Sequence, residues 1–468
     1  MALCVQFCGE KQLIYNFKKE REMRKEAFVG MSSVFALSMI ALFASNAMAG
    51  DAPTIDTGDN AWLLASSALV LIMTPGLGLF YGGMVRSKNM VNTLWMSFIV
   101  ICIVSVQWVL WGYSLSFAPG GWFIGGLQWC GLGAGAVGQA PSDLYATTVP
   151  HLSFMIFQCM FAVITPALMT GAFAERFKFS AWLLLIPLWA SAVYAPLAHW
   201  VWASDGWLYK FGALDFAGGT VVHICSAASA FALILFVGKR KGYPAEVKPP
   251  HNLPFMMLGT ALLWFGWFGF NAGSAVAASG LAASAFVVTN TATAAAGFTW
   301  SVLEWIHHKK PTILGACSGA VAGLVAITPA SGFVGPMASI AIGVGAGLAC
   351  FYGTTKMKKA CGYDDALDVI GIHGVGGTWG AWATGIFCTT AANPAGFDGA
   401  IYGNVAQMGK QWIGILATWF YCISVTSLLA WFVNAVVGLR PSESEEVSGM
   451  DISQHKEIAY HYYESEQA

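Results

Sequence analysis

Between residues 60 and 440 this sequence is a string of apolar stretches whose connecting gaps alternate between basic and charge-poor. The odd gaps hold Arg86 and Lys88, then Arg176 and Lys178, then Lys239, Arg240, Lys241 and Lys248, then Lys309 and Lys310, then Lys356, Lys358 and Lys359; Arg440 follows the last stretch. The even gaps are poor in cations. The one around Asp143 has no Lys or Arg, the next has Lys210, those near Ser279–Gly280 and Pro329–Pro336 have none, and the last has Lys410. Lys and Arg accumulate on the cytoplasmic side of membrane proteins, so the odd gaps are expected inside and the even gaps outside. The alternation therefore predicts an all-α integral membrane protein with eleven transmembrane helices, N-terminus out and C-terminus in.

The expected spans are 61–85, 94–117, 150–174, 180–198, 217–238, 253–275, 281–306, 312–328, 335–355, 366–389 and 411–437. A bilayer-crossing helix needs about 20 apolar residues, and the fourth and eighth spans fall short of that. Composition agrees with a membrane domain. The chain is 57% hydrophobic and 10% charged, against about a quarter charged in a soluble domain. Its 53 glycines let helices approach closely in lipid, and its 20 Trp and 31 Phe exceed what interfacial belts need, so some are expected to line an internal path. A net charge of −1 argues against nucleic acid as a partner. The 11 cysteines lack CxxC or zinc-type spacing and read as packing residues, so neither a metal nor a cofactor is expected.

The two ends read differently. Residues 1–49 resemble a signal-peptide region: a basic stretch from Lys18 to Lys25, an apolar run from Met31, and the cleavage signal Ala47-Met48-Ala49. Residues 50–440 form the membrane domain, and 441–468 a polar cytoplasmic tail, either disordered or docked on the inner face.

Of nine histidines, His223 and His373 fall well inside apolar spans, the fifth and the tenth. His199 is expected to pack at the outer end of the fourth. An ionisable ring in hydrocarbon needs a partner and marks a functional site. Asp215 precedes His223 by eight residues and Asp368 precedes His373 by five, which suggests two five-helix repeats plus one extra helix. Five spans per repeat is an odd number, so the second repeat is inverted, and inverted repeats place a site near the midplane. Two facing imidazoles can share one hydrogen there.

These motifs resemble those of bacterial ammonium transporters of the Amt/Mep/Rh family. The segments that carry the likeness are Gly171–Arg176, Asp215–His223, Gly266–Ser274, Asp368–Gly374 and the tail Gly449–His455. The resemblance implies a homotrimer in the bacterial cytoplasmic membrane, a pore in each subunit, no enzymatic activity, and a PII-type signalling protein as partner of the tail. It assigns Trp202, Ser274 and Phe161 to ammonium recruitment, Phe161 and Phe270 to a phenyl gate, and His223, His373 and Trp267 to the pore. Asp215 and Asp368 are implied in ordering local backbone or in proton release. An ammonium sensor and a Rh-like neutral gas channel are the alternatives. The common tail pattern has Gly after the final His, where this chain has Lys456.

Overall fold

The computed structural model describes residues 55–245 and 248–460; the expected leader and the last eight residues lie outside them. The helices are α1 (Thr57–Met84), α2 (Ser87–Phe117), α3 (His151–Met169), α4 (Phe179–Phe211), α5 (Gly219–Val237), α6 (Leu253–Gly273), α7 (Gly280–His308), α8 (Ile313–Ile327), α9 (Pro336–Cys361), α10 (Ile370–Gly374 continuing as Val375–Phe387) and α11 (Ala406–Val436). Nine of these, all but α8 and α10, are long and apolar enough to cross a membrane. A two-stranded hairpin, β1 (Pro141–Ser142) and β2 (Ala146–Pro150), lies between α2 and α3.

Boundaries differ from expectation where polar groups take over. α2 opens with a 3-10 turn, Ser87–Asn89, and its α-helical part starts at Met90, where the tail supplies an acceptor for the first free amides: Asp451 accepts from Val91 N at 3.0 Å and Asn92 N at 2.8 Å. α4 runs to Phe211 but doubles back after Trp202 before its last turn. α8 stops at Ile327 and continues as turns.

Small residues set the packing. A Cβ on Gly259 of α6 would lie 2.3 Å from Phe80 N and 2.6 Å from Gly76 O of α1, so only glycine lets these two helices meet backbone to backbone.

The basic gaps converge at one end. Arg86 pairs with Glu175 at 2.9 Å, Arg240 pairs with Asp364 at 2.8 Å, and buried Arg176 lies 3.8 Å from the same aspartate. The charge-poor gaps meet at the other end, where Asp59 accepts from Ala278 N at 2.7 Å and from the Thr148 hydroxyl at 2.6 Å. The gaps that loop charge separates in sequence are thus also separated in space.

The tail is docked at the basic end. α12 (Glu443–Ser448) opens with a capping box at Ser442, and Glu446 is paired with Arg440. Beyond it, Met450 N donates to Asn89 Oδ1 at 2.8 Å and His455 meets Asn92 Oδ1 at 3.0 Å.

Candidate functional site

α5 opens as a π turn, Gly219–Ile224, and the cause is Asp215. Its carboxylate accepts from Gly218 N at 2.8 Å, Gly219 N at 2.6 Å and Thr220 N at 2.7 Å, and from the Thr220 hydroxyl. Gly218, at φ 114°, is the residue that can turn the chain into this cap. Burial pushes the Asp215 carboxyl up, while the Thr220 and glycine donors pull it back toward the ionised form. The result places His223 in the π turn, 1% exposed. Such turns widen the helix locally and gather at functional positions.

α10 repeats the arrangement. Its π turn, Ile370–Gly374, holds His373, 3% exposed. The capping acid, however, is Asp365, whose Oδ2 accepts from Ile370 N at 2.7 Å. Asp365 precedes His373 by eight residues, the spacing between Asp215 and His223. The match of Asp368 to Asp215 is therefore corrected: Asp368 has φ 64° and forms a 2.7 Å ion pair with Lys358. The eight-residue spacing was the signal that identifies Asp365.

The two histidines face each other between α5 and α10. Their Nδ1 atoms are 3.3 Å apart and their ring centroids 5.3 Å apart. One Nδ1 donates and the other accepts, so the pair shares one hydrogen. His223 Nε2 is buried without a partner among the described residues. Above His223 rises an aromatic column. Trp267 stacks on it at 5.3 Å, Phe270 lies 6.1 Å away, Phe161 contacts Phe270 at 4.3 Å, and Trp202 meets Phe161 edge-on at 5.7 Å.

Hydrogen bonds hold this column in place. Trp202 Nε1 donates to Asp215 O at 2.9 Å, so the aspartate that caps α5 also fixes the indole. Trp267 Nε1 donates to Thr328 Oγ1 at 2.8 Å. Ser274 donates its proton to Phe270 O at 2.9 Å, which leaves the hydroxyl oxygen as an acceptor. At the basic end, past Ile372, opens a cavity of about 330 Å³ lined by Arg86, Glu175, Arg240, Lys358 and Asp368 among others.

The sequence profile of the Ammonium Transporter Family matches residues 61–460. An ammonium transporter of Bacillus subtilis is 54% identical over 403 residues, covering 86% of this chain and 98% of that protein. The chain belongs to the Ammonium Transporter Family. Among solved structures, Saccharomyces cerevisiae Mep2 superimposes with a TM-score of 0.76 at 39% identity, covering 83% of this chain and 91% of that one. A structure described as a sensor Amt protein gives 0.78 at 28% identity, with coverage of 85% and 98%.

For this family member, Phe161, Phe270, Trp267, Trp202, His223 and His373 form one contiguous column. Ser274 stands one helical turn beyond Phe270, and Asp215 touches the column through Trp202. Asp368 is set apart, in the cavity at the basic end. Sequence reasoning did not find Asp365 or Thr328. The threonine carries no sequence signal, because its relation to Trp267 spans 61 residues and exists only in the folded bundle.

Proposed function

We propose that this chain carries ammonium into a bacterial cell across the cytoplasmic membrane, through an eleven-helix subunit with N-terminus out, C-terminus in and five-helix inverted repeats. Ammonium is recruited at Trp202, Ser274 and Phe161. The Trp face attracts the cation by about 0.5–2 kcal/mol, and the Ser274 oxygen accepts one N–H. The ion then gives up a proton; ammonia passes between Phe161 and Phe270 and along Trp267, His223 and His373, and the proton crosses separately by way of the two histidines, so that net ammonium charge moves, whereas a proton left outside would make the flux neutral. Selectivity against potassium follows from this sequence of steps. Potassium has similar size and charge but neither donates hydrogen bonds nor releases a proton, and stripping a full charge of water in a dry passage is expensive. Asp215 holds the recruitment indole and the start of α5; Asp368 stays with Lys358 at the exit.

The single observation that carries this reading is the histidine pair, 3.3 Å apart and almost wholly buried, directly beneath the phenyl pair. Neither a structural pair of polar rings nor a pore for hydrated ions needs that arrangement. The subunit works as a homotrimer with one pore per copy. Its tail, residues 441–468, gives a PII-type signalling protein a surface at the basic end. The sensor Amt relative supports a second reading, an ammonium sensor with little flux.

The test is the current across a solid-supported membrane loaded with purified protein, after an ammonium pulse and a potassium pulse. Current with ammonium alone is expected, falling at least about tenfold in His373→Ala. Unchanged rate and selectivity in that variant overturn the histidine role. Vesicle alkalinisation without current indicates a Rh-like neutral gas channel, and binding without either signal indicates the sensor.

A further inference from the structure

His199 lies on α4 one turn before Trp202 and is fully buried. Its Nδ1 faces Ser116 O at 3.1 Å. Its Nε2 faces Gly121 O at 2.7 Å and Asp205 Oδ1 at 3.4 Å. All three neighbours are acceptors with no proton to give. A neutral imidazole donates from one nitrogen and needs a donor opposite the other. Here that second nitrogen would press a lone pair against a carbonyl or carboxylate oxygen in a buried site, an arrangement that forfeits a hydrogen bond and adds repulsion. An imidazolium donates to both carbonyls, from Nδ1 to Ser116 O and from Nε2 to Gly121 O, and Asp205 Oδ1, which accepts no hydrogen bond among the described residues, stands beside it as counterion.

The surroundings tie this ring to the recruitment end. The other Asp205 oxygen accepts from Gly120 N at 2.8 Å, and Trp200 Nε1 donates to Phe123 O at 2.7 Å. The segment from Ser116 to Phe123 is thereby stitched to α4 from both sides of His199. After Trp202 the chain folds back over the histidine so closely that a Cβ on Gly206 would sit 2.0 Å from His199 O. The other ionisable side chains around the pair are Tyr145, which donates to Phe117 O at 2.6 Å and feels the Asp205 charge, and Tyr209. Tyr113 and His151, farther along the same packing layer, are bound to each other at 2.5 Å.

We propose that His199 is held as a buried imidazolium, fastened between Ser116, Gly121 and Asp205, and acts as a positioning residue for Trp202. The ring fixes the end of α4, and with it the direction in which the Trp202 face meets an incoming cation. The role in transport rests on the reading of Trp202 as a recruitment residue; the charge state of the ring does not.

The test uses the full-length protein in lipid bilayers, labelled with ¹⁵N-histidine and measured by solid-state NMR at about pH 8, where rings with the ordinary value near 6.5 are neutral. One doubly protonated ring is expected, absent in His199→Gln and weakened in Asp205→Asn. A lone-pair nitrogen on every ring of the unmodified protein overturns the proposal without reference to any variant. In transport, His199→Gln is expected to raise KM for ammonium about fivefold or more with kcat little changed; an unchanged KM overturns the positioning role. If Trp202→Ala leaves KM unchanged while the imidazolium signal persists, the recruitment reading fails and the charge assignment stands.

Discussion

The two histidine turns share a plan and differ in how it is finished. In both, a π turn follows an aspartate placed eight residues before the histidine. Asp215 uses both oxygens, on four backbone amides and a hydroxyl. Asp365 uses one oxygen on Ile370 N, and its Oδ1 is buried without a hydrogen-bond partner among the described residues. Burial pushes the Asp365 carboxyl up to about 6; Lys358 pulls it down and Asp368 adds to the rise. One turn thus sits behind a closed cap that also holds an indole of the aromatic column. The other ends in a buried acid beside an ion pair and a polar cavity. The two turns aim their imidazoles alike, while the chemistry behind each turn differs with its surroundings.

The comparison breaks most readily by removing the acids. Asp215→Ala strands several donors at once and is expected to cost about 3–5 kcal/mol, with loss of transport, whereas Asp365→Ala loses one cap bond and costs about 1–2 kcal/mol. Thermal unfolding of the purified protein in detergent ranks the two; equal costs would mean that the caps are equivalent after all. Asp365→Asn sharpens the contrast, since it keeps an acceptor for Ile370 N but does not titrate. A carboxyl raised from 3.8 to about 6 binds more protons in the folded than in the unfolded protein between those values. Stability of the parent should therefore fall as pH rises from about 4 to about 6, by roughly 2–3 kcal/mol, and stay low above that window. The Asp365→Asn variant should lack this fall, and a fall that persists in it would assign the slope to another group.

The smallest effect concerns a third acid, Asp451, which caps α2 from the tail. The residue that closes this segment, Lys456, has φ 58°, a left-handed conformation that costs a non-glycine residue about 1 kcal/mol. Lys456→Gly is expected to tighten docking, slowing hydrogen exchange at Val91 and Asn92 about fivefold. Faster exchange would show that the lysine side chain, rather than the backbone, holds the tail.

Much of this was legible before folding. Loop charge put Arg86, Arg240 and Lys358 on one side, because Lys and Arg gather on one side of a membrane, and the three line one cavity. Likewise, His223 and His373 stood out because an ionisable ring in an apolar span has few bland explanations. Asp368 and Asp215 each stand shortly before a histidine in the chain, but position before a histidine does not specify which carboxylate meets the free amides of its turn. Capping depends on where the free amides point, and the π turn moved them toward Asp365.

The sequence by itself determined the membrane class, the family and the grouping of the basic gaps at one end, all of which rest on residue type and spacing along the chain. Only the tertiary structure decided that Thr328 steadies Trp267, that Asp365 rather than Asp368 caps α10, that the tail docks through Asp451, and that three acceptors surround His199. These are contacts between groups distant in sequence or turned by the backbone, and hydrogen bonds are set by direction and distance in space, which a string of residues does not specify.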